Sequence, residues 1–125
     1  MTHISISEHE EQCTVVEYLQ LKYPNVPFFA IPNGGLRNKI IAAKLKKAGV
    51  CPGVPDLFIA RGKWMRKNEP TQECILGLFL EMKMKGGNIS PAQRIMMGKL
   101  THAGYRCEIC YGADMAMKII DEYLS

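Results

Sequence analysis

A chain of 125 residues supports one ordinary domain and is too short for two. Hydrophobic residues make up 47% of it, a globular balance without the depletion that marks disorder. No run approaches the ~20 apolar residues of a membrane span, Met1 to Gln12 lacks the basic and apolar regions of a secretory signal, and the net charge of +4 permits a polyanionic partner without requiring one.

The first predicted element is a helix opened by Ser7. Its Ser7-x-x-Glu10 spacing fits a capping box, and Gln12, Val15, Val16 and Leu19 follow at helical spacing to about Tyr23. Pro24 and Pro27 close that helix and introduce a short strand, Phe28 to Ile31, followed by an Asn33-Gly34-Gly35 loop. Arg37 to Ala48 reads as a second helix that turns Ile41, Leu45 and Ala48 inward, keeps four lysines mostly outside, and stops at Gly49. Val54 to Ala60 is a second, apolar strand, and the basic, turn-prone stretch Arg61 to Glu73 carries the chain in a hairpin-like connection to a third, Cys74 to Met84. Ser90 and Pro91 supply an N-cap and first-turn proline for a third helix to about Ala103. Gly104 stops it, Tyr105 to Tyr111 forms a fourth strand, and an amphipathic helix covers Ala113 to Leu124. The order αβαββαβα predicts an α/β fold with a mixed four-stranded sheet flanked by helices, its helix-linked strands parallel and its hairpin-linked strands antiparallel. A single domain over 1–125 is expected, in a soluble, cytoplasmic protein.

The third strand carries the least ordinary local feature. Ile75 to Leu80 is apolar on both faces, as in a central strand, and Glu81 and Lys83 then follow two apart on one face. An acid and a base at the end of a buried strand are expensive unless paired or bound to something. Gly53-Val54-Pro55-Asp56 puts a carboxylate at the start of the second strand, which the hairpin can lay beside the third. Two carboxylates that close repel unless a cation bridges them, and hard oxygen ligands suit magnesium or manganese. Such an ion polarises a phosphoryl oxygen and generates hydroxide near neutral pH, with Lys83 orienting the water or stabilising transition-state charge. The plainer alternative is a structural Glu81–Lys83 ion pair and an Asp56 that caps a turn.

Other features are weaker. The five cysteines, an odd count, read as free thiols. Cys107-Glu-Ile-Cys110 matches CxxC, but on a strand the two point to opposite faces, and no second ligand pair accompanies them. Trp64, among Arg61, Lys63, Arg66 and Lys67, could touch DNA or a partner subunit or be simply a half-buried aromatic. His3, His9 and His102 lack ligand spacing.

Pro55-Asp56, followed across a hairpin by Glu81-Met82-Lys83, matches the PD-(D/E)xK signature of the restriction-endonuclease-like superfamily. More narrowly, the chain resembles the VRR-NUC family, the virus-type replication-repair nuclease domain. The stretches Phe29 to Gly35, Pro52 to Leu57, Leu80 to Lys83 and Ser90 to Gln93 carry the resemblance, which runs from Glu8 to Leu124 and resembles a stand-alone phage or bacterial member.

The resemblance implies a restriction-endonuclease-like core and a Mg2+- or Mn2+-dependent endodeoxyribonuclease with no organic cofactor. It further implies in-line attack by metal-activated water, leaving a 5′-phosphate. Asp56 and Glu81 would ligate the metal through carboxylates and Met82 through its backbone carbonyl, with Lys83 the catalytic lysine. The family's first-helix acid could be Glu8, Glu10 or Glu11. Glu8 is chosen as a metal ligand because it lies one turn before Gln12 on the inward stripe, while Glu11 points toward the Tyr18 and Lys22 side. Gln93 matches a family glutamine that reaches the site, although Ser90-x-x-Gln93 is also a capping box. Gly34, Gly35, Arg37, Lys39 and Lys85 are the expected DNA contacts, through backbone amides and cations. The expected substrate is branched DNA, a Holliday-junction-like or flap structure. A homodimer is expected because one active site cuts one strand. The rival reading is a non-catalytic DNA-binding module of the same fold.

Overall fold

In the computed structural model, which describes residues 7–32, 38–64 and 74–125, helix α1 (Glu8–Lys22) begins where the sequence places it. Ser7 holds an extended backbone and its hydroxyl accepts the Glu10 N–H at 3.1 Å, so a helix start that would otherwise leave amides unpaired is capped. Strand β1 (Phe28–Ala30) follows, then α2 (Lys39–Lys47), β2 (Leu57–Ile59), β3 (Lys63–Trp64), β4 (Cys74–Ile75), β5 (Leu78–Lys83), α3 (Pro91–His102), β6 (Arg106–Tyr111) and α4 (Ala113–Leu124). Among the described residues no helix is long and apolar enough to cross a membrane.

Four strands form one mixed sheet in the order β1-β2-β5-β6. The β5–β6 pair is parallel, as expected of strands joined through α3, and β2–β5 is antiparallel, as expected of a hairpin. The β1–β2 pair departs from expectation: it is antiparallel although α2 lies between its strands. The reason is that α2 is not a crossover helix. None of its residues is buried, and Ile41 and Ala48, expected inside, are exposed, with Leu45 only part-buried. Without a face to lay on the sheet, α2 does not return the chain to the edge where β1 began, so β2 starts at the end where β1 stops. The expected third strand is also divided. Cys74–Ile75 pairs with Lys63–Trp64 in a separate two-stranded sheet, so part of the presumed turn is itself strand. The break falls at Leu76-Gly77, where the Phe58 ring lies so close that a Cβ on Gly77 would sit 2.6 Å from it.

Alternation along the strands gives the sheet two distinct faces. Leu57, Ile59, Leu78, Leu80, Met82 and Cys110 turn to one side and are buried against Val15 and Leu19 of α1 and Ala116, Ile120 and Tyr123 of α4. Full burial of each large side chain here contributes about 1.5–3 kcal/mol. A second set of contacts fastens α1 to α4. The Asp121 carboxylate accepts from the Tyr18 and Tyr23 hydroxyls, each at 2.6 Å, and from the Lys22 ammonium at 3.1 Å. These bonds hold its carboxyl below the usual carboxylate range. On the opposite face, Phe58, Phe79 and Tyr105 form an aromatic cluster with ring centroids 4.4–5.8 Å apart. Glu81 and Lys83 share that face with Phe79.

Candidate active site

The β2–β5 ladder pairs Leu57 with Leu80, and continuing its register sets Asp56 opposite Glu81. At this point Pro55 faces Met82 and has no N–H to exchange. The Asp56 side chain enters the gap, Oδ2 accepting the Met82 N–H at 2.7 Å. A residue's N–H and C=O leave a strand on the same side, so the Met82 carbonyl is directed toward β2 as well. The start of β2 is fixed from the other direction by Gly53, which has a φ of +86° and lies against the first turn of α3. A Cβ there would collide with the Ala92 carbonyl and come within 2.8 Å of the Gln93 nitrogen.

Glu81 is 3% exposed, the buried charged residue among those described. Its Oε2 receives the Gln93 Nε2–H at 3.3 Å and lies 3.9 Å from the Lys83 ammonium, while its Oε1 is buried with no hydrogen-bond partner. Burial, above all, pushes the Glu81 carboxyl up from 4.5 to about 8; the neighbouring Asp56 carboxylate, through its charge and as the acceptor of a hydrogen bond from the protonated Glu81, pushes the same way, Lys83 opposes them, and Glu8 adds a further small rise. An orphaned buried carboxylate oxygen beside a second carboxylate is costly as it stands. A divalent cation would relieve both the repulsion and the missing partner.

Gln93 serves both of the roles expected of it. Its Oε1 accepts the Ser90 N–H at 2.8 Å while Ser90 Oγ accepts the Gln93 N–H at 3.1 Å, completing the capping box of α3. With the amide oxygen committed to the cap, the amide NH2 must face Glu81, so the cap aims the donor.

The three acids of α1 divide the work. Glu8 reaches the site end of β5, where its Oε2 accepts the Met84 N–H at 3.4 Å. Glu10 sits under the Ser7 cap, and Glu11 accepts the Ala113 N–H at 2.8 Å, capping α4 where Gly112 has no side chain to offer. Glu11 thus lies on the α4 side of α1 with Tyr18 and Lys22, as its spacing implies. Among the described residues, no group of three or more His, Cys, Asp or Glu side chains is arranged to hold a metal ion, and Glu8 lies at the edge of the Asp56–Glu81 pair. Its carboxylate stays at the Met84 amide, on the exposed rim. Two carboxylates and a backbone carbonyl still suit magnesium, which commonly binds through one or two carboxylates and keeps several waters.

Lys39 opens α2 and Lys85 follows β5 in a turn, both exposed; Gly34, Gly35 and Arg37 lie outside the described residues. Trp64 is 54% exposed, and Cys107 and Cys110 occupy opposite faces of β6, Cys110 in the core. Sequence reasoning missed Gly53, whose signal was a glycine between two prolines at the strand start. It also missed the site's placement where α1, α3 and α4 all begin, an end that favours negative charge.

A model of the VRR-NUC domain matches residues 5–114. Among solved structures, one described as a VRR_NUC domain protein is similar over 98% of this chain and 91% of its own, with a TM-score of 0.77 and 25% sequence identity. No match was found among curated protein sequences.

Proposed function

The chain belongs to the VRR-NUC family, a nuclease-type family whose partner is DNA, and from that premise we propose that it is a divalent-metal-dependent, structure-selective DNA endonuclease. The observation that carries the reading is Glu81: a buried carboxylate with one oxygen unpartnered, set beside Asp56 and within 4 Å of a lysine. A purely structural ion pair would not orphan an oxygen in this way.

In this reading Asp56, Glu81 and the Met82 carbonyl hold a Mg2+ or Mn2+ ion, with Glu8 reaching it through water from the rim. Bound there, the ion would polarise a phosphoryl oxygen of the DNA and lower the pKa of water. Gln93 keeps Glu81 oriented through the amide that its cap has already fixed. Lys83, whose side chain is 14% exposed, presents its ammonium to the side of the phosphate where charge develops, and Lys39 and Lys85 hold the backbone on either flank. Cutting by in-line displacement leaves a 5′-phosphate. The preferred substrate is branched DNA, a four-way junction or a flap, and a homodimer supplies the second site that paired cuts require.

The test is incubation of purified protein with labelled linear, flap and four-way DNA in magnesium, manganese or chelator. Cutting is expected only with metal, with branched substrates preferred. Lys83→Ala is expected to slow it by about 100-fold or more while leaving the melting temperature within a few degrees. Full activity in that variant removes the mechanism. Tight DNA binding without cutting under every metal condition would leave a binding module in its place.

A further inference from the structure

Beside Asp56 the surface opens into a cleft of about 290 Å3. Its walls are Ile31 and Pro32 after β1, the 48–51 turn after α2, and Val54 two residues before Asp56. The Ile31 N–H donates to the Asp56 carbonyl at 2.8 Å, so one wall is tied to the residue that would hold the metal. The β1-β2-β5 order sets Ile31 one strand from Asp56 and two from Glu81, roughly 5 and 10 Å away. The cleft therefore lies where the nucleotide next to a bound phosphate would fall.

Its chemistry and its rim agree on the occupant. Apart from the Cys51 thiol the walls are aliphatic, suited to the faces of a planar ring, and the volume lies at the small end of ligand pockets, enough for one ring system and its substituents. The helix leading into it, α2, contains Lys39, Lys44, Lys46 and Lys47, all exposed, and no acid. An apolar slot with a cationic approach suits a base attached to a phosphate backbone. An acidic peptide would meet the same lysines, but the slot's tie to Asp56 favours the nucleic acid that the site itself would process.

We propose that this cleft takes one unpaired nucleobase of the DNA strand being cut, adjacent to the scissile phosphate, while the α2 lysines hold the backbone that leads into it. The proposal rests on the nuclease reading of Asp56 and Glu81. It gives a physical reason to prefer a flap over intact duplex: a base cannot enter while stacked and paired, and a flap offers one already free.

The test is binding in chelator, which separates recognition from cutting. Ala48→Trp fills the cleft from its exposed rim, and Ala48→Ser controls for the position. Anisotropy with a flap substrate and with intact duplex of equal length is the readout. Ala48→Trp is expected to weaken flap binding about tenfold and leave duplex binding unchanged, with Ala48→Ser like wild type. Unchanged flap binding in a folded Ala48→Trp protein overturns the proposal. Should that variant not fold, Cys51 gives a second readout, since its thiol is exposed on the cleft wall. With Cys13→Ser and Cys74→Ser in place, flap DNA is expected to slow maleimide labelling of Cys51 at least tenfold and duplex is not. Equal labelling in the two overturns the proposal. Wild-type cutting in magnesium is scored separately: a cleft effect without cutting removes the nuclease reading and leaves a site for an unpaired base on a binding module, whereas cutting without a cleft effect removes this inference alone.

Discussion

Replacing Glu81 with glutamine tests the electrostatics of the site directly, because Gln can still accept the Gln93 amide hydrogen but never carries a charge. In the metal-free protein the Glu81 carboxyl titrates near 8 against 4.5 when unfolded, so the folded state binds a proton that the unfolded state has lost. The sign follows: stability present in acid is lost as pH rises from 4.5 to about 8, by up to about 1.4 kcal/mol per pH unit. Between pH 5.5 and 7 that amounts to about 2 kcal/mol, or near 8 °C in melting temperature for a chain of this size. In chelator, Glu81→Gln is therefore expected to gain that much on wild type across the interval, with the gap levelling off above pH 8. Magnesium needs the ionised form, so it is expected to stabilise wild type more at pH 8 than at pH 6, with release of a proton, and to leave the variant unmoved. Parallel pH profiles for the two proteins in chelator would refute the reasoning.

Three further perturbations act on other parts of the structure. Gly53→Ala places a Cβ into the Ala92 carbonyl at a positive φ, and is expected to lose about 2 kcal/mol or more of stability and to impair cutting at temperatures where it stays folded, because the first turn of α3 that carries Gln93 must retreat. Wild-type melting temperature and activity would show that α3 does not lean on this glycine. Asp121→Asn removes the charge that binds Tyr18, Lys22 and Tyr23, and thermal melts are expected to show a loss of about 1–2 kcal/mol while DNA binding, measured well below the melt, is unchanged. Lys39→Ala is expected to weaken DNA binding on every substrate and to lower the salt dependence of log K by about one unit, read from titrations at several salt concentrations. An unaltered slope would place Lys39 off the phosphates.

What could be read from the chain and what could not divides along physical lines. The spans of α1 and α3 were legible because their caps are local, Ser7 in one and Ser90 with Pro91 and Gln93 in the other, and α4 was legible from its amphipathic spacing although its cap is remote. The spacing of Glu81 and Lys83 was legible because period two is intrinsic to a strand. The three-dimensional role of Glu11 could not be resolved in full, since its partner is an amide 102 positions away. Nor could the Asp121 cluster, whose partners lie 98 to 103 residues apart. The break at Gly77 escaped notice for the same reason: a continuous apolar run does not reveal that Phe58 from another strand occupies the space above one glycine. The second helix misled because Ile41, Leu45 and Ala48 have the spacing of a buried face, and spacing alone cannot say that no surface lies opposite.

That misreading of α2 bears on how the site works. A helix with exposed isoleucines, Ile40 at 71% and Ile41 at 44%, is weakly held by its own fold, since most helical stability comes from packing an apolar face. Its N-terminal cap is sound, Asn38 accepting the Ile41 N–H at 2.8 Å, so the helix is well started but poorly anchored. Glu81, by contrast, is held by the most deeply buried strand of the sheet and Asp56 by the start of the neighbouring β2, at an end where three helices begin. The chain thus sets a rigid, charged centre beside a basic element that the core does not tie down. An arrangement of that kind lets the chemistry stay fixed while the surface that meets the DNA backbone adjusts to it, and hydrogen exchange bears on the point: amides of α2 should exchange orders of magnitude faster than those of β5, and slow toward them when branched DNA is bound.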